Sequence, residues 1–517
     1  MLVGDIPVRN AGLYPDKTAL IEGKSRFTFR QSNNRVNRLG NAIVGLGLGK
    51  GDRIAVLNQN CFQYLELYFA SAKAGTPIVP LNYRYNLNEL LFVLRDSGAR
   101  ILFFGKEYEP TIEAIRREET DLRHLIPLDG PIPGLKNYED IISRASPAEP
   151  VTDINEDSVS VLGYTGGTTG KPKGVMTTHR NIITSCYNTA LERLLTPRDR
   201  HLIIPPVFHA GGANSMFAFS FVGATTIILN SSNIDFILKK VEEHQATHLM
   251  LVPTLMRMAT ENPNIASYDL RSLKTLYYGT APISLEPLKK AMRLFSCDFS
   301  QTYGMTETFV PVSILKPEDH QLDGGPEIDK RMGSAGREVM GVRVKIVDNE
   351  GRSVATGKIG EVAVKGKNVM KGYWNRPELT REVLRDGWLY TGDMGRMDEL
   401  RYLYIVDRKK DMIISGGENI YAKEVEDALS AHPAVLEAVV IGVPDEKWGE
   451  AVKAFIRKKK GVEVSAGELV EFCRGRLASY KKPKSVEFVE DFPKSAAGKV
   501  LKRELRDKYW QGRERKI

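Results

Sequence analysis

An α/β fold built on mostly parallel sheets is predicted by three features of this 517-residue chain. Short β-rich runs alternate with amphipathic helical stretches through the first half, glycines stop the helices, and closely spaced β runs take over after about residue 340. A chain of this length exceeds one hydrophobic core, so at least two domains are expected.

The first alternation begins with the β-rich run from Asp52 to Asn58. Phe62 to Ala74 has apolar residues at helical spacing and stops at Gly75; Pro77 to Leu81 is extended; Leu87 to Ser97 is helical and stops at Gly98; Arg100 to Phe104 is extended again. This β-α-β-α-β order is the signature of a parallel sheet covered by helices. It recurs in the extended run from Ala224 to Leu229, the helix Ile234 to His244, and the extended runs Thr247 to Val252 and Leu273 to Tyr278. Val342 to Val347 and Gly360 to Lys365 are the first of the later β runs, and residues 411 to 517 form a separate small α/β unit.

Composition narrows the function classes. Hydrophobic residues at 42% and charged residues at 26% describe a folded protein, not a disordered one. Four cysteines, Cys61, Cys186, Cys297 and Cys473, stand singly, with no C-x-x-C pair and no zinc-ligand spacing, which favours a reducing compartment. The N-terminal stretch lacks the pattern of a signal peptide, and the apolar run Phe217 to Leu229 is broken by Ser, Gly and Thr, so a cytoplasmic protein without a spanning helix is expected. The net charge of +9 is compatible with nucleic acid, an anionic membrane or polyanionic small substrates. Basic residues interleaved with exposed aromatics are lacking, so nucleic acid is not expected.

Four motifs carry chemistry. After the apolar run Val159 to Leu162 comes YTGGTTGKPKGVM, Tyr164 to Met176, a Gly-rich loop whose backbone N–H groups, hydroxyls and ammonium groups suit phosphate oxygens. It is not the P-loop pattern, because Thr165 replaces the first glycine and Pro172 the magnesium-binding hydroxyl. The second motif, QTYGMTET, places an aromatic ring, a hydroxyl and a hard carboxylate at Tyr303, Thr306 and Glu307. The third comprises Tyr390 to Asp393 and Tyr404 to Glu426; the fourth, Phe492 to Glu504, sets Lys499 in a glycine-bearing turn.

Together, in this order along nearly the whole chain, these motifs resemble the adenylate-forming superfamily, which includes acyl-CoA synthetases, stand-alone adenylation domains and luciferases. The resemblance implies a large N-terminal adenylation domain, residues 1–407, of several subdomains with mostly parallel sheets flanked by helices plus a distorted β-barrel. It also implies a small mobile α+β C-terminal domain, residues 408–517, turning about a hinge at Lys410. Thr165, Gly166, Gly167, Thr168, Thr169, Gly170, Lys171 and Lys173 match a clamp on the ATP phosphates, with Gly166 standing where many members have Ser. Gly279, Thr280, Ala281 and Pro282, with Gln301, Tyr303 and Gly304, match the adenine-binding segments. Thr306 matches a phosphate contact, Glu307 the magnesium ligand, and Asp393, with Arg408 beside it, the ribose contact. Lys499 matches the lysine essential to the first half-reaction.

The implied reaction joins a carboxylic acid to ATP, giving acyl-AMP and pyrophosphate, and then transfers the acyl group to a thiol. Mg2+ is the implied cofactor, with ATP and CoA as substrates. Gly416, Gly417, Glu418, Trp448, Tyr480 and Lys482 match CoA contacts. A carrier protein is the alternative acceptor, and a silent binding homologue the non-enzymatic one. For the acid, His209 is a candidate gate, and Ala213, Met216, Phe217, Met305, Phe309 and Val310 are candidate pocket walls. No Arg or Lys in these stretches is placed to hold a second carboxylate, so a largely apolar monocarboxylic acid is favoured. The SGGENIY wording tilts this towards a fatty acid over a benzoate or cinnamate. A homodimer and a peripheral membrane contact stay open.

Overall fold

The computed structural model describes residues 1–165, 172–279, 283, 285–416, 418–494 and 500–511. The chain forms two compact units, one of Met1–Arg343 with Val364–Leu389, the other of Val344–Ala363 with Tyr390–Ile517.

In the first unit a seven-stranded sheet runs in the order Gly372–Tyr373, Lys173–Thr178, Val159–Thr165, Ile78–Pro80, Arg53–Leu57, Ala99–Phe104, His124–Pro127. Its five strands from Val159–Thr165 to His124–Pro127 pair in parallel, as the alternation predicts. Helices Phe62–Ala74 and Leu87–Ser97 have the expected limits, and Gly75 and Gly98 end them in the left-handed conformation with φ of 71° and 59°. The helix Leu87–Ser97 starts with a reciprocal capping box between Asn86 and Glu89.

A nine-stranded sheet holds the second alternation. Arg200–Ile203 pairs in parallel with Thr225–Ile228 on one side and His248–Met250 on the other; Thr275–Gly279 and Asp298–Tyr303 continue the parallel order. Leu202, Leu249, Leu276 and Phe299 point from one face into a core shared with Leu238, Val241 and Leu288 of the covering helices. The period of two sends His201, His248, Met250, Tyr277 and Thr302 to the opposite face.

In the second unit, Glu418–Ile420, Ile413–Ser415, Gly449–Lys458 and Val435–Asp445 form an antiparallel sheet, with Ser485–Phe488 parallel to Gly449–Lys458. Helices Ala422–Ser430 and Ala466–Arg474 cover one face through Val425, Leu429 and Leu469; Phe492 and Leu505 pack on the other. This is the small α/β unit expected near the C-terminus.

The four cysteines are free; Cys61, Cys186 and Cys473 are buried and Cys297 is half-buried. Burial raises all four thiols, that of Cys297 to about 12. Among the described residues no helix is long and apolar enough to cross a membrane.

Several histidines are neutral parts of the core. Burial lowers His179, His248 and His320 each to about 4, and the Val3 N–H donates to His179 Nδ1 at 3.1 Å. The unfolded chain protonates such rings near pH 6.5, so between pH 6.5 and 4 it binds more protons than the folded protein. Stability is therefore full above pH 6.5 and drains away towards pH 4, His179 alone accounting for about 3 kcal/mol. Denaturant midpoints measured from pH 7.5 down to 4.5 should fall throughout that window. A flat profile would mean that these rings are not neutral in the folded protein.

Candidate active site

The carboxyl ends of adjacent parallel strands are where ligands bind in sheets of this kind. Gly279 and Thr302 lie in register there, at the ends of Thr275–Gly279 and Asp298–Tyr303, and Gln301, Tyr303 and Gly304 flank them. These are the described members of the predicted adenine set; Thr280, Ala281 and Pro282 lie outside the described residues.

The phosphate-loop candidates are described only at their two ends. Thr165 and Lys173 pair across an antiparallel hairpin, and Gly166, Gly167, Thr168, Thr169, Gly170 and Lys171 lie outside the described residues. Lys173 Nζ sits 5.4 Å from the centre of the Tyr373 ring, whose hydroxyl donates to Glu307 Oε1 at 2.8 Å. Tyr373 thus joins a cation of the loop to the predicted magnesium ligand. The Glu307 backbone is fixed too, its carbonyl accepting from the Met370 N–H at 2.8 Å.

Beside Thr306 lies a small cavity that also brings together His209, Ala213 and Phe309, with Tyr68, Tyr164 and Phe208 on its walls. His209 immediately precedes the helix Ala210–Val222, its ring centre 4.1 Å from that of Phe208. Gly212 lets this helix start where it does, because a Cβ there would stand 2.3 Å from the Pro206 carbonyl oxygen. Phe217 is buried behind the cavity, packed on Tyr68, Phe69 and Phe309; Met216 is buried in the same helix. Met305 turns to a different cluster, against Val175, Met370 and Tyr373.

Phe309 and Val310 both adopt left-handed backbone, φ 44° and 54°, a strained state for two residues with side chains and most of all for β-branched Val310. Asn368, fully buried, holds the bend: its Nδ2 donates to the carbonyls of Thr308, Val310 and Pro311 at 3.1 to 3.3 Å. Ser185 donates to the Phe309 carbonyl at 2.9 Å. Sequence reading missed Asn368 and Tyr373. The aromatic, glycine-bearing stretch Lys371-Gly-Tyr-Trp-Asn375 was the available signal for Tyr373; nothing local marks Asn368.

In the second unit, Asp393 and Arg408 face each other across an antiparallel pair, with Arg408 Nε 2.5 Å from Asp393 Oδ1. Asp393 is buried, and its N–H donates to Thr391 Oγ1 at 3.1 Å. Two residues on, Lys410 lies in the turn Lys409–Asp411 beside a charge cluster: Arg506 contacts Asp411 at 2.5 Å, and Lys502 contacts Glu426 at 2.7 Å. Burial opposes ionisation of Asp411, yet Lys502 and Arg506 hold its carboxyl below the usual range.

Of the CoA candidates, Gly416 and Trp448 meet. Gly416 has φ 61°, its N–H donates to the Trp448 carbonyl at 2.8 Å, and a Cβ there would stand 2.7 Å from the indole. The exposed indole carries Lys447 and Lys484 at 4.8 and 5.1 Å from its ring centre. Glu418 is exposed, Tyr480 is 46% exposed in the short turn Ser479–Lys481, and Lys482 is half-buried. Gly417 and Lys499 lie outside the described residues.

The AMP-binding enzyme family model matches residues 8–374, and the model of the AMP-binding enzyme C-terminal domain matches residues 424–499. A feruloyl-CoA synthase of Amycolatopsis sp is 38% identical over 98% of this chain and 99% of its own. The long-chain-fatty-acid–CoA ligase FadD13 of Mycobacterium tuberculosis is 34% identical over 97% of both chains. The crystal structure of ATP-bound MatB from Rhodopseudomonas palustris superposes with a TM-score of 0.88 at 30% identity, covering 98% of this chain and 99% of that one. The chain belongs to the AMP-binding enzyme family, within the adenylate-forming superfamily of acyl- and aryl-CoA ligases.

Proposed function

We propose that the protein activates an aromatic monocarboxylic acid with ATP and transfers it to CoA. The observation that carries this reading is the cavity beside Thr306 and His209, walled by the rings of Tyr68, Tyr164, Phe208 and Phe309. Flat rings offer a flat acyl group edge and face contacts, each beyond the gain from burial alone. The SGGENIY wording that favours a fatty acid lies in the second unit, apart from these walls in the chain, and does not bear on the shape of this cavity. A fatty acid is the second reading, supported by the likeness to FadD13.

In the first step a carboxylate oxygen attacks the α-phosphorus, the bond to the β-phosphate breaks, and pyrophosphate leaves with the bonding electrons. Two anions must meet, so the protein's task is to supply positive charge and donors where negative charge gathers. Lys499 bridges the carboxylate and the α-phosphate as a compact point charge; Thr165, Thr306 and Lys173 hold the phosphates. Glu307 fits a magnesium ligand: it is a carboxylate braced by Tyr373, and Mg2+ is commonly held by one or two carboxylates together with substrate phosphates. When bound there, Mg2+ would offset phosphate charge. Asp393 accepts from the ribose hydroxyls.

In the second step the CoA sulfur attacks the acyl carbonyl and AMP leaves. The indole of Trp448, with Lys447 and Lys484 beside it, suits a stacked base and a phosphate. His209 gates the acyl pocket, and residues 408–517 turn about Lys410 between the two steps.

The test is mass spectrometry of thioesters formed from purified protein, Mg-ATP, CoA and a panel of benzoates, cinnamates and short to long fatty acids. ATP-dependent aryl thioesters are expected to dominate. Dominant fatty thioesters would establish the second reading; acyl-AMP without thioester would point to a carrier-protein acceptor.

A further inference from the structure

Residues 369–373 grip Glu307 at both its ends. The Met370 N–H donates to the Glu307 carbonyl at 2.8 Å, and three residues on the Tyr373 hydroxyl donates to Glu307 Oε1 at 2.8 Å. The segment is itself anchored. Asn181 Nδ2 donates to the carbonyls of Lys367 and Val369 at 2.8 and 2.7 Å, and Gly372–Tyr373 pairs antiparallel with Lys173–Thr178, the strand that leaves the phosphate loop. The Tyr373 N–H donates to Thr380 Oγ1 at 2.9 Å. Gly372 permits that approach: its φ is 148°, and a Cβ there would stand 2.8 Å from Thr380 Cγ2. Tyr373 is buried, so packing as well as hydrogen bonding holds its phenol against the carboxylate.

A hydrogen bond to a carboxylate is about twice as strong as one between neutral groups, and it fixes which oxygen faces which way. Here the phenol takes Oε1, which leaves Oε2 as the oxygen for an ion. Ions differ in what they ask of such a group. Ca2+ accepts one or both oxygens of a carboxylate in a loose shell of about six to eight ligands, whereas Mg2+ demands a tight, nearly octahedral shell. The two oxygens of one carboxylate lie too close together to fill neighbouring corners of that octahedron. A carboxylate pinned at one oxygen therefore suits Mg2+, and one free to turn suits Ca2+ as well. The ring of Tyr373 has a separate task, since Lys173 Nζ lies 5.4 Å from its centre.

Building on the ligase reading, with Glu307 as the metal ligand, we infer that Tyr373 is a positioning residue that leaves Glu307 Oε2 as the single oxygen offered to an ion and so makes the site selective for Mg2+ over Ca2+. Loss of an outer partner of this kind typically weakens metal binding about 10- to 100-fold. The sequence could not disclose the role, because Tyr373 lies 66 residues beyond Glu307 and a buried aromatic residue on a short strand reads as core.

The experiment is calorimetric titration of the full chain with ATP, without acid or CoA, in saturating Mg2+, in saturating Ca2+ and in EDTA. The wild-type protein is expected to bind ATP about tenfold or more tighter with Mg2+ than with Ca2+. Tyr373→Phe keeps the ring beside Lys173 and deletes only the hydroxyl. It should bring that ratio to about one by weakening binding in Mg2+, while the affinities in Ca2+ and in EDTA stay as they are. Should Tyr373→Phe fail to fold, Thr380→Val, which takes the acceptor from the Tyr373 N–H, must lower the same ratio. A wild-type ratio near one, a ratio that the variant leaves unchanged, or an equal loss under all three conditions overturns the role. Failure of the ligand reading looks different: Glu307→Gln then binds ATP with the wild-type dependence on Mg2+, and the inference falls with it.

Discussion

Replacing Lys499 with Ala is expected to slow acyl-adenylate formation by two to three orders of magnitude, about the loss seen when one preorganised charge-stabilising donor is removed. Thioester formation from supplied acyl-AMP and CoA should continue, because the second step has no meeting of carboxylate and phosphate to relieve. Lys499→Arg should restore little, since a planar fork does not sit as a point charge between two oxygens. Pyrophosphate release in a single turnover reads the first step, and thioester formation from acyl-AMP reads the second. If both survive in Lys499→Ala, the charge that assists the first step comes from another residue.

The second large effect is expected at Asn368. Its amide serves the carbonyls of Thr308, Val310 and Pro311, which flank two left-handed residues at the cavity wall. Asn368→Ala leaves buried acceptors without donors, at about 1 to 3 kcal/mol each. It also removes the restraint on a bend that stores about 1 to 3 kcal/mol per strained residue. A total loss of about 3 to 5 kcal/mol in unfolding free energy is expected, with a raised KM for the acid as the Phe309 wall loosens. Val310→Gly should recover part of the stability in the Asn368→Ala background, because glycine adopts φ near 54° without strain. A double variant no more stable than the single one would mean that strain at Val310 is not what Asn368 restrains.

Local pattern made much of the scaffold legible in the sequence. The helices Phe62–Ala74 and Leu87–Ser97 have the limits that periodicity and glycine stops predict, and Ile234–His244 the limits that periodicity predicts. The strand Asp298–Tyr303 takes in the QTY of the second motif, because pairing with Thr275–Gly279 and Ser313–Leu315 draws those residues into the sheet. Tertiary burial is what local pattern lacks. Arg193 looks like a surface charge until Tyr277 lies beneath it, and Asn368 looks like a loop residue until three carbonyls converge on it. Met305 precedes the turn Thr306–Thr308 in extended backbone and packs in another cluster, a direction no spacing rule carries.

The state of the four cysteines has a practical corollary for following the reaction. A thiol must ionise and meet its reagent to react, and in the folded protein burial opposes both. A chromogenic disulfide added to samples withdrawn from a working reaction will therefore count the CoA sulfhydryls that remain, with the enzyme itself nearly silent. The same reagent becomes a meter of integrity: a slow rise towards four equivalents per chain reports protein that has opened, and separates inactivation by unfolding from exhaustion of substrate.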